Sequence, residues 1–71
     1  MRFDDYTVEV WYSSKDEAYL ARVPEVQGCI ADGQTRQEAI SEVEKVFDLM
    51  METIMENGDP IPQPRREAAL A

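Results

Sequence analysis

Along YTVEVWY (6–12) hydrophobic and polar positions alternate: Tyr6, Val8, Val10 and Tyr12 share one side, and Thr7, Glu9 and Trp11 take the other. β-Branched and aromatic residues at a period of two predict a strand. SSKD (13–16) reads as a polar turn, and EAYLARV (17–23) as a second strand. Tyr19, Ala21 and Val23 fall on one face of that strand, Ala18, Leu20 and Arg22 on the other. Two strands joined by about four polar residues make a hairpin. Pro24 has no amide for a ladder and ends the second strand. PEVQG (24–28) then turns the chain, and CIAD (29–32) predicts a short third strand along the hairpin.

From Thr35 the period changes. T35-R36-Q37-E38 has capping-box spacing, in which the threonine hydroxyl accepts an amide three residues on and the glutamate reaches back. Nothing breaks the helix before Asn57, and Gly58 supplies a left-handed cap. That is roughly 22 residues, or about 33 Å at 1.5 Å of rise each. With Val43 as origin, Ala39, Ile40, Val46, Phe47, Met50, Met51 and Ile54 form one apolar arc, with Met55 at its rim. The arc spans close to half the cylinder, wider than the usual core-facing stripe of about 100°. Three strands cannot cover all of it.

After Gly58, DPIPQPRREAALA (59–71) carries three prolines in five residues and predicts an extended tail able to lie along a sheet edge, but not a central strand. The expected architecture is therefore α+β, β-β-β-α with an optional last strand. An antiparallel three-stranded sheet packs on one long helix in a single domain over 1–71, with its core at about 6–58.

Length and charge narrow the function. A chain of 71 residues holds one domain with a marginal core, which self-association or a partner commonly supplements. The chain has 15 acidic against 7 basic residues and a formal net charge of −8, which repels phosphate backbones and argues against direct nucleic-acid binding. The N-terminus lacks the apolar run of a signal peptide and no stretch is long enough to span a membrane, so a reduced, cytoplasmic setting is expected.

Catalytic chemistry finds few candidates. With no histidine and one cysteine, the triad arrangements lose their usual base, and neither a zinc site nor an internal disulfide can be assembled within the chain. Cys29, between Gly28 and Ile30, reads as a small packing hydrophobe and not a reactive thiol. Asp4-Asp5 and Asp16-Glu17 are adjacent carboxylates at a terminus and a turn, where they read as solvated charge. No phosphate-binding glycine motif occurs, so neither cofactor, metal nor enzymatic activity is expected.

The polar side of the helix says more. Glu38 and Glu42, then Asp48, Glu52 and Glu56, follow i,i+4 spacing, where like charges are neighbours and each pair costs a few tenths of a kcal/mol. Such a row is either a solvated face or a docking surface for a basic protein, and Leu49 on the same side calls for a covering partner. Met50 reads as core filler, whereas Met51 and Met55, toward the edge of the arc, are candidates for a subunit interface.

In order along the chain, Tyr6, Tyr19, Val23-Pro24-Glu25, Gly28-Cys29, Gly33, Thr35 and Glu38-Ala39 resemble the pattern of the HicB family of antitoxins. The likeness covers about residues 6–64 and departs from the family pattern at Gln27, where a proline is usual. It implies a partial ribonuclease-H-like fold without ribonuclease chemistry. It also implies a partner, a HicA-type toxin, which is a small basic ribonuclease held inactive by protein contact. Complete members carry a second, DNA-binding domain, for which this chain is expected to have no room. Three readings follow: an antitoxin module that sequesters a basic toxin and forms a homo-oligomer (dimer or tetramer); an orphan self-assembling regulatory or scaffold module; and a metal-dependent nuclease.

Overall fold

The computed structural model describes residues 2–64. The chain runs through a short 3-10 turn (Phe3–Asp5), strands β1 (Glu9–Ser13), β2 (Ala18–Arg22) and β3 (Ile30–Gly33), and helix α1 (Arg36–Asn57). The strands form one antiparallel sheet in the order β1-β2-β3, which is the α+β arrangement that the periodicities predict.

Register explains which face is buried. Val10 pairs with Ala21 and Ala21 with Ala31, while Tyr12 pairs with Tyr19 and Tyr19 with Gly33. Side chains at directly paired positions point to the same side of a sheet, so these rows share one face. α1 packs on that face and buries Ala39, Val43 and Phe47. They close the core with Tyr6, Ala21, Val23, Val26 and Cys29.

Two strand boundaries differ from the alternation, each for a local reason. β1 starts at Glu9, not Tyr6, because Thr7 is held by a side chain in place of a ladder. Its amide donates to the Glu25 carboxylate at 3.1 Å and its hydroxyl at 3.0 Å. β2 starts at Ala18 because Glu17 has φ 53 and completes the turn that Ser13 and Asp16 brace with a 2.8 Å hydrogen bond.

The connection from β2 to β3 is a closed loop. The Val23 amide donates to the Cys29 carbonyl at 3.0 Å, and the Cys29 amide to the Val26 carbonyl at 3.1 Å. Gly28, at φ 86, supplies the left-handed backbone such a loop needs. Gly33 serves a different need. A Cβ there would sit 2.5 Å from the Ala39 amide nitrogen, so only glycine lets β3 meet the first turn of α1.

That first turn is capped as expected, with the Thr35 hydroxyl accepting the Glu38 amide at 3.0 Å. Glu38 reaches back one residue further than a capping box, accepting from the Gln34 amide at 2.6 Å. At the other end Gly58 (φ 73) and Asp59 return their amides to Met55 and Ile54. Residues 59–64 form no strand; the Tyr6 hydroxyl holds them by donating to the Pro62 carbonyl at 2.5 Å. The rest of the expected tail, 65–71, lies outside the described residues.

Candidate partner-docking surface

The helix is longer than what it lies on. Strands of four or five residues span about 13–17 Å, whereas 22 helical residues span about 33 Å. The consequence is visible along α1: every buried residue lies at or before Phe47. Leu49, Met50, Met51, Ile54 and Met55 follow, all exposed or half-buried, with Leu49 65% and Met55 64% exposed.

On one flank of this overhang the chain's N-terminus builds a groove. Phe3 and Tyr6 meet the Phe47 ring edge-on, at centroid distances of 5.4 and 4.9 Å. These contacts hold the 3-10 turn against the helix. Between them lies an open trough of about 470 Å³ in which Phe3, Phe47, Met51 and Met55 supply apolar surface and Asp4, Glu44, Asp48 and Glu52 supply carboxylates. Its volume falls in the range of small-molecule pockets, but those enclose most of their ligand. With Met55 mostly exposed, this one does not. Arg2 is the one cation among its lining residues, and its guanidinium lies 3.4 Å from Asp4.

The residues singled out from the sequence are divided by this geometry. Asp48 and Glu52 line the groove, and Met51 and Met55 line it with them. Glu56 follows one turn later, exposed. Glu38 is spent on the helix cap, and Glu42 is bonded to Lys45 at 3.0 Å. Leu49 points to the opposite flank, where it forms a shallow apolar patch with Met50, Thr53 and Ile54.

Two groove carboxylates, Glu44 and Asp4, are not among the site residues expected from the sequence. Glu44 was legible: with it, Glu44, Asp48, Glu52 and Glu56 make an unbroken i,i+4 row of four carboxylates. Asp4 was not, because it reaches the helix only through the packing of Phe3 on Phe47.

Elsewhere the surface is less acidic. The sheet face away from α1 carries Trp11, Leu20 and Ile30, with Arg22 bonded to Glu9 at 2.7 Å and its guanidinium 5.8 Å from the Trp11 ring centroid. Cys29 is 2% exposed, and burial pushes its thiol pKa up, which makes it a poor nucleophile. Among the described residues no three His, Cys, Asp or Glu side chains are grouped to hold a metal ion. Among the same residues no helix is long and apolar enough to cross a membrane.

Among the described residues, an antiparallel sheet lies under one capped helix and a carboxylate-lined trough flanks the helix's second half. Residues 6–71 match the family model described as the HicB_like antitoxin of bacterial toxin-antitoxin system. The chain is similar to UPF0150 protein ssl0259 of Synechocystis sp., with 32% identity over 84% of this chain and 82% of that protein. It is also similar to UPF0150 protein Ta0767 of Thermoplasma acidophilum, with 27% identity over 87% of this chain and 88% of the relative. No solved structure matches it. The chain belongs to the HicB-like antitoxin family.

Proposed function

We propose that this protein neutralises a small basic ribonuclease toxin of the HicA type by binding it, without catalysis of its own. The observation that carries the reading is the family match over residues 6–71, joined to a net charge of −8. Opposite charge speeds encounter with a basic partner and disfavours wrong ones. The same charge disfavours direct contact with nucleic acid, so the reading assigns RNA to the toxin and the cytoplasm to both.

The test is functional. A purified HicA-type toxin is the substrate of the test: its cleavage of RNA is measured with and without one equivalent of this protein. Silencing of cleavage together with a stable complex of fixed stoichiometry is the expected result. Full cleavage in the presence of excess protein would sink the reading.

Self-association belongs to the same reading, and the open sheet face favours it. That face exposes Trp11 and Ile30 beside Leu20, and its charges are the Arg22–Glu9 pair and Asp32 opposite Leu20. Light scattering at several concentrations, repeated on Trp11→Glu, tests this: a dimer or tetramer should fall to monomer in the variant.

A further inference from the structure

The groove between the 3-10 turn and the second half of α1 is open to solvent, and three observations together say what fits it. The first is unburied apolar surface: Phe3, Met51 and Met55 line the trough, and none of them is fully buried. Unbranched methionines adapt to differently shaped side chains, which makes them common on binding surfaces.

The second is the sign of the charge. From Val46 to Pro64 the chain has four carboxylates, Asp48, Glu52, Glu56 and Asp59, and no lysine or arginine. Glu44 and Asp4 add to them on the groove wall, against the single guanidinium of Arg2. A second copy placed here would set two carboxylate rows against each other with almost no cation between them. The third is that no residue of α1 after Phe47 is fully buried, while the i,i+4 carboxylates of these turns repel one another. A cationic partner would supply packing and relieve that repulsion in one contact.

We propose that this groove docks one basic amphipathic segment of the partner, with an apolar side chain against Phe3, Met51 and Met55 and lysines or arginines against Glu44, Asp48 and Glu52. This deepens the antitoxin reading and rests on it for the partner's identity. Arg2, held by Asp4 with both side chains mostly exposed, occupies the mouth in the unbound protein and swings aside at little cost.

The experiment uses the full chain, labelled with nitrogen-15, and two synthetic peptides of roughly 18 residues, or five helical turns. One is a leucine–lysine peptide with amphipathic order; the other has the same composition scrambled. Amide shifts confined to residues 2–4 and 44–56, caused by the ordered peptide alone, are the expected result. Asp48→Lys with Glu52→Lys should then weaken binding at least about tenfold, and Met51→Ala should weaken it without a change of charge. Both substitution sets lie outside the buried core, and an unchanged sheet spectrum reports that the variants fold.

Equal shifts from both peptides, scattered over the surface, would overturn the proposal in favour of unspecific charge attraction. Concentration-dependent shifts at Met51 and Met55 without peptide would overturn it in favour of a second copy. The two readings fail separately. Toxin silencing that survives Asp48→Lys with Glu52→Lys removes the groove and leaves the antitoxin role. Peptide binding without any silencing removes the antitoxin role and leaves the groove.

Discussion

The Tyr6 hydroxyl and the Pro62 carbonyl, 56 residues apart in sequence, are joined by a 2.5 Å hydrogen bond that fastens the chain leaving α1 to the approach to β1. Tyr6 is also a core residue, its ring edge-on to Phe47. One side chain therefore ties the tail, the first strand and the middle of the helix.

Tyr6→Phe keeps the ring and removes the bond, and should cost about 1 kcal/mol of stability by urea unfolding. It should also change the alkaline limb. Burial, then the nearby carboxylates of Glu25 and Asp5, raise the Tyr6 pKa above its ordinary 10.0 in the folded state. The stability linked to that shift is complete below pH 10.0 and is lost as pH rises through the folded value, because the unfolded tyrosine ionises first. Wild-type stability should thus fall more steeply above that pH than the stability of Tyr6→Phe. Parallel curves would show that Tyr6 is not the group responsible.

Gly33→Ala tests the contact between β3 and the helix start. The added methyl would lie 2.5 Å from the Ala39 amide nitrogen and 2.8 Å from the Glu38 carbonyl carbon, both backbone atoms that cannot step aside cheaply. Overpacking of this kind should cost about 1–3 kcal/mol, read as a lowered melting temperature. Gly58→Ala has nothing within 4 Å of its Cβ, so its cost comes from φ 73 alone and serves as the comparison. Equal losses would mean that backbone conformation, not the close approach, sets the requirement for glycine.

How far the sequence carried the fold can be read from particular positions. Thr35 and Gly58 fix the helix ends through chemistry local to a few residues, and both ends were legible. Alternation placed Val10 and Ala21 on the buried face correctly, because period two survives any choice of strand boundary. It could not place the start of β1, since the Glu25 carboxylate that takes the Thr7 amide lies 18 residues away. The candidate site divides in the same manner. Asp48, Glu52, Met51 and Met55 were legible as helix positions, but their meeting in one groove required Phe3 to bring Asp4 across.

Amide exchange along α1 checks the overhang directly. Residues 39–47 sit over the sheet and should be the best protected, while those from Asp48 onward should exchange faster at equal intrinsic rate. A graded loss of protection beginning near Leu49 is the expected profile, and uniform protection to Asn57 would show that the second half needs no support. Adding the basic amphipathic peptide should slow exchange in this half and leave the first half nearly unchanged.

Cys29 offers a probe of the core that needs no substitution. Its Sγ lies 3.9 Å from the Val43 carbonyl oxygen, beneath the middle of the helix, and burial raises its pKa from the ordinary 9.0. The linkage has the same sign as for Tyr6. Its stabilising contribution is complete below pH 9.0 and is lost as pH rises through the folded value, since the unfolded thiol ionises first. Alkylation by iodoacetamide at about pH 8 should therefore be slow in the native protein and fast once urea unfolds it, because the thiolate is the reactive form. The rate should rise with urea along the unfolding curve, and Gly33→Ala should shift that rise to lower urea. Rapid alkylation without denaturant would place the thiol at the surface and remove it from the packing that joins β3 to α1.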